Sequence, residues 1–211
     1  MHAPHAAPSL NRVAATATLH CLTGCAIGEV LGLVIGTALG LSNPGTIALA
    51  VILAFFFGYA LTMVPLLRAG LAFSVALPLA FASDSFSIAV MELVDNGVML
   101  AVPGAMDSTL RSPLFWGALA FALAVAFVFA YPLNRHLISR GQGHAVVHAY
   151  HGHEGHGDEA SEPMPLGSPR KLVALGIASV VVTVVVAAGG ALLLESRGED
   201  DPSGSHAASS S

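Results

Sequence analysis

Charge is what this sequence has least of. Only 10% of its 211 residues are Asp, Glu, Lys or Arg, against roughly 25% in an ordinary soluble domain. The basic residues never form a run and the net charge is −5, which leaves no nucleic-acid footprint. Cysteine is nearly absent too. Cys21 and Cys25 are the only two, set in an apolar run, and two do not make a disulfide framework. No Gly-rich phosphate loop, Ser-His-Asp set or HExxH motif occurs, so nothing points to an enzyme. The thiols are spaced Cys-x3-Cys, not the Cys-x2-Cys of thioredoxin-like sites. A haem would find only His20 and His136 near the apolar segments.

Apolar residues are what the chain has in excess: 55% of it is hydrophobic and the mean hydropathy is +0.74. About 20 apolar residues span a bilayer as helix. Five segments reach that length: Val13 to Leu41, Thr46 to Leu67, Leu71 to Val102, Pro113 to Leu133 and Leu172 to Leu194. The first is far longer than the roughly 7–15 residues of a signal-peptide core and reads as a retained helix. The expected fold is therefore an all-α integral membrane helical bundle with five transmembrane helices. Residues 1–12 form a tail, 13–143 a four-helix core, 144–170 a histidine-rich loop, 171–195 the fifth helix, and 196–211 a disordered tail.

With five spans, Arg12, Arg68, Arg135, Arg140, Arg170 and Lys171 fall on one side and only Arg111 and Arg197 on the other. The positive-inside rule then predicts a multi-pass inner-membrane protein with a cytoplasmic N-terminus and the C-terminus outside.

The third segment breaks the apolar rule, since Asp84, Glu92 and Asp95 lie inside it. A carboxylate at mid-membrane costs about 2.5–3.5 kcal/mol on insertion scales. Three cannot face lipid, and with Pro78 nearby the helix is expected to be kinked or broken between Pro78 and Asp84. No Lys or Arg lies within the apolar segments to neutralise them. Such carboxylates must bind a cation, share a proton or sit in water.

The first segment carries two stripes at helical spacing. Gly24, Gly28, Gly32, Gly36 and Gly40 form an unbroken four-residue ladder, the pattern that lets helix backbones approach closely in lipid. It predicts a packing seam, either inside the chain or toward a second copy or membrane partner. One position on run Cys21, Cys25 and Glu29, with His20 before them. Thiolate, imidazole, thioether and carboxylate are donors that transition metals use. A Cu or Zn ion held by His20, Cys21, Cys25, Glu29, Asp84, Met91, Glu92 and Asp95 is the leading expectation. His144, His148, His151, His153 and His156, in a tract rich in Gly, Asp and Glu, would form a secondary metal-collecting loop.

Several of these stretches resemble a known family. His20 to Glu29, Ser87 to Asn96, Pro103 to Asp107, Pro113 to Trp116 and Asn134 to Gly141 resemble the uncharacterised bacterial membrane family catalogued as domain of unknown function 4396, over about Leu10 to His151. The resemblance implies an integral membrane protein and carries no activity with it. Function is thus expected to be transition-metal handling or transport. The alternatives are a proton-linked solute permease, with the acids as relay groups, and a non-catalytic membrane scaffold using the glycine seam. The bilayer is the partner that all three require.

Overall fold

A computed structural model of the chain describes residues 9–68, 70–140 and 168–199. Those residues form five long helices: α1 (Leu10–Ala38), α2 (Asn43–Arg68), α3 (Phe73–Ala101), α4 (Pro113–Ser139) and α5 (Pro169–Glu199). No strand occurs among them. At about 1.5 Å per residue each is longer than the roughly 30 Å hydrocarbon core, and all five have the length and hydropathy of membrane spans. Large apolar side chains line the outside, including Phe56, Phe86, Phe121, Phe129 and Val185. On a water-facing surface that coverage would aggregate; against lipid it is the expected solvent-facing side.

The helices α2, α4 and α5 run past the apolar segments that announce them, while α3 stays within its segment. α4 continues through Pro132 to Ser139 and α5 extends to Glu199, so the polar tail expected from residue 196 starts later. Hydropathy locates the part of a helix that must sit in hydrocarbon. Backbone hydrogen bonding has no reason to stop where the apolar run does. Of the expected kink or break in the third helix, a break does not occur: α3 passes through Pro78 without interruption. Pro78 is the sixth residue of α3, so the one bond to the Ser74 carbonyl is lost while the helix continues. The acids are accommodated by burial against α1 instead of by unwinding.

Local chemistry sets the helix ends. Gly40 has φ +67°, with Gly40 N–H donating to Thr37 O at 3.1 Å and Leu41 N–H to Gly36 O at 2.9 Å. That pair of bonds is a Schellman close, and it needs a left-handed residue that glycine supplies without strain. At the start of α4 the Ser112 hydroxyl accepts from the Leu114 N–H at 3.2 Å and Pro113 takes the first helical position.

The glycine ladder is consumed within the chain. A methyl group on Gly24 would stand 2.7 Å from the Gly58 backbone, and one on Gly28, Gly32 or Gly36 would strike Ala54, Ala50 or Thr46. α1 and α2 thus pack as an antiparallel hairpin with backbones in near contact. Gly40, the expected fifth rung, belongs to the turn and has open space around it. Of the two expectations for the seam, inside the chain or toward a second copy or partner, the first holds: α2 covers it. Beside the hairpin, α3 lies between α2 and α4 and faces α1, while α5 packs on α2 and α3. α5 is the most peripheral, with 17% of its apolar window buried against 33–50% in the others.

Candidate functional site

The second stripe of α1 points away from the glycine seam and meets α3. Cys21 lies against Asp84 and Ser87, Cys25 against Glu92, and Glu29 against Asp95. Both helices run in the same direction, so four-residue steps along α1 are answered by similar steps along α3. The Asn96 amide ties the upper end together. Its Nδ2 donates to Glu29 Oε1 at 3.3 Å and to the Glu92 carbonyl at 2.9 Å.

Glu92, Asp95 and Glu29 form one cluster of three carboxyl groups. Glu92 is 0% exposed and Asp95 1%, whereas Glu29 is half-buried at the rim. Neither oxygen of Glu92 or of Asp95 is held by a donor in ordinary hydrogen-bond geometry; the Cys25 thiol is the polar neighbour of Glu92 and the Glu29 carboxyl that of Asp95. A buried polar atom left unpaired costs roughly 1–3 kcal/mol, and a charged one more. Every Arg and Lys stands at or beyond a helix end, so no cationic side chain offsets the cluster. It is an acceptor-rich interior whose donors are the Asn96 amide and the Cys25 thiol, and protons or a cation would supply the rest.

Toward the Arg-rich end the polar face continues with groups that composition did not single out. Ser83 Oγ donates to Asp84 Oδ1 at 2.8 Å. Tyr59 of α2 hydrogen-bonds Ser85 Oγ at 2.8 Å, and its ring meets Phe81 edge-on at 4.4 Å. Ser179 of α5 donates to the Ser85 carbonyl at 3.2 Å. On the other side of α1, Asn134 of α4 donates to Thr18 Oγ1 at 3.0 Å. Small hydroxyls are common in membrane helices, so only a helical-wheel alignment of α2, α3 and α5 on Ser85 would have marked these.

The metal donors expected from the sequence come together only in part. Thiol meets carboxyl in pairs, and Met91 is fully buried in the apolar core beside Cys21 and Cys25. His20 is half-buried one position before the stripe, about 100° round the helix from Cys21. Among the described residues no group of three or more His, Cys, Asp or Glu side chains is arranged to hold a metal ion. The histidines from His144 to His156 lie outside the described residues.

At the Arg-poor end a cavity of about 730 Å³ opens between the α1–α2 turn and the loop before α4, lined among others by Leu33, Thr37, Thr46, Met106, Asp107 and Arg111. Leu33 stands one turn beyond Glu29 on α1. Met99, Met106, Val30, Leu33 and Val102 pack in one apolar cluster, of which Leu33 and Met106 also line the cavity.

A family model described as Domain of unknown function (DUF4396) matches residues 10–143. That span takes in α1 to α4 and the whole carboxyl cluster, and stops short of α5. The chain belongs to this family. No curated protein and no solved structure matches it.

Proposed function

We propose that this member of the DUF4396 family is a non-enzymatic, proton-linked carrier of the inner membrane. Glu29, Glu92 and Asp95 would hold the proton whose movement is coupled to a solute. One observation carries the reading: the buried carboxyl groups of Glu92 and Asp95 lie beside that of Glu29, with the Cys25 thiol and the Asn96 amide as polar neighbours and no cationic side chain beside them. Three ionised groups at that spacing would repel across a water-poor interior. A proton between Glu29 and Asp95 converts the contact into an O–H···O hydrogen bond joining α1 to α3. Proton loss would part the two helices or draw in water, which is how occupancy of this site would drive a change of access. The excess of Arg and Lys at one end supports placing that end in the cytoplasm.

The test is proton flux into vesicles carrying the purified protein and a trapped pH dye, under an imposed potential. Wild type should conduct, while Glu92→Gln and Asp95→Asn should abolish the flux and Cys21→Ser leave it intact. Flux that survives in both carboxyl variants overturns the proposal.

A transition-metal cargo, Cu or Zn, is the second reading, favoured by the burial of Cys21 and Cys25 against carboxyl groups. It requires the pairs to be drawn into a larger ligand set. Elemental analysis of wild type and Cys21→Ser/Cys25→Ser decides it: metal retained only by wild type favours cargo, and metal in neither removes it. The scaffold reading has lost its main support, because α2 occupies the glycine face.

A further inference from the structure

At the Arg-rich end, α1 and α4 flank an open groove of about 510 Å³, lined by Asn11, Tyr131, Pro132, Arg135, His136 and Ser139, all exposed but Tyr131. The lining holds a guanidinium, an imidazole, an amide and two hydroxyls, and no carboxylate among the described residues. Arg135 Nε donates to Asn11 Oδ1 at 2.8 Å, which fixes the plane of the guanidinium. Its terminal N–H groups have no protein acceptor among the described residues. Ser139 donates to the His136 carbonyl at 2.8 Å, so its oxygen is oriented as well. The volume falls in the range that holds an organic headgroup.

Position narrows the ligand. The groove sits where the apolar run of α4 ends, and Tyr131 is stacked on Phe127 with centroids 5.8 Å apart, as aromatic side chains do at the membrane interface. A planar guanidinium held at one edge presents its other edge as a fork that matches two oxygens of a phosphate. Basic pockets between membrane helices at this depth suit anionic lipid headgroups.

We propose that this groove is a phosphate-group site, filled by the headgroup of an anionic phospholipid seated between α1 and α4. Arg135 provides the bidentate contact, His136 and the Asn11 amide flank it, and the acyl chains lie along the outer face of α4. The site is independent of the carboxyl cluster and stands whether or not the protein moves protons.

The test is lipid binding to the full chain in detergent by native mass spectrometry. Its arms use phosphatidylglycerol, phosphatidylcholine and inorganic phosphate. Wild type should prefer phosphatidylglycerol, and Arg135→Gln/His136→Gln should bind it about tenfold more weakly. Arg170→Gln/Lys171→Gln, which removes two charges at the same end outside the groove, should match wild type. Asn11→Asp keeps the bond to Arg135 but places a negative charge where the ligand would sit, and should weaken binding as much as the double variant. Competition by millimolar inorganic phosphate with the same variant dependence would assign the site to free phosphate. Equal loss in both double variants, or no loss in Asn11→Asp, would reduce the effect to diffuse surface charge and overturn the proposal.

Discussion

Adding one methyl group to Gly28 should unfold this protein more readily than any comparable change in α3. The new Cβ would stand 2.8 Å from the Ala54 side chain and closer still to the Ala54 backbone. Backbone cannot rotate aside, so the helices must part by about 1 Å to restore ordinary contact. A gap of that size forfeits about a quarter to a half of each neighbouring dispersion contact, and the loss extends to the rungs at Gly24 and Gly32. Overpacking of this kind costs about 1–3 kcal/mol, here at the upper end, while alanine returns up to about 1 kcal/mol in helix propensity. The net expectation is a destabilisation of about 2 kcal/mol. Gly97→Ala is the control, because nothing lies within 4 Å of a methyl there, and it should gain up to about 1 kcal/mol from propensity alone. Unfolding in mixed micelles with increasing dodecyl sulfate, followed by circular dichroism, measures both. Equal midpoints for the two variants would refute the near-contact of α1 and α2.

Other consequences are as direct. Tyr59→Phe removes the hydroxyl that meets Ser85 and should cost about 1 kcal/mol in the same unfolding assay, with Ser85 still bonded to the Phe81 carbonyl at 2.7 Å; no change would mean that hydroxyl contributes nothing. Glu92→Gln should abolish proton flux without lowering stability, since the amide keeps the shape and an oxygen for the Cys25 thiol while the ionisable proton is lost; a variant that fails to fold would give that carboxyl a structural role. Cys21 and Cys25 are 0% and 1% exposed and should resist maleimide in the folded protein, then react fully in denaturant. Asn134→Ala should cost about 1 kcal/mol by stripping the donor from Thr18, whose hydroxyl keeps its own bond to the Ala14 carbonyl at 2.8 Å; an unshifted unfolding midpoint would count against that link between α4 and α1.

Features with a helical period were legible in the sequence, because spacing alone determines which residues share a face. That holds for the five spans, for the four buried glycines and for the stripe of Cys21, Cys25 and Glu29. That the Cys-Cys-Glu face would meet the acids of the third segment followed from their lack of a cation; which helix the glycine face would meet did not follow from spacing. A small-residue ladder promises a close neighbour without saying whether it comes from the same chain, and only the short turn at Gly40 supplies α2. Gly40 itself continues the spacing perfectly and yet does a different job, since nothing in a four-residue repeat announces where the helix stops. The link among Tyr59, Ser85 and Ser179 joins three helices and depends on tertiary register. Pro78 does not break α3: its missing N–H costs one hydrogen bond six residues into the helix, and the acids that suggested a break needed only a neighbour. How Cys25 and Glu92 sit against each other likewise depends on the parallel register of α1 and α3, which no local pattern encodes.

The seam between α1 and α2 keeps a single register across four rungs, from Gly24 beside Gly58 to Gly36 beside Thr46. A slip of one residue would bring a side chain into every place that glycine now leaves bare. Displacement along this hairpin is therefore quantised, with the next clash-free alignment a whole turn away, about 5.4 Å. Smaller motions have to be borne elsewhere. The hairpin is thereby the element of the bundle whose internal register is fixed most tightly.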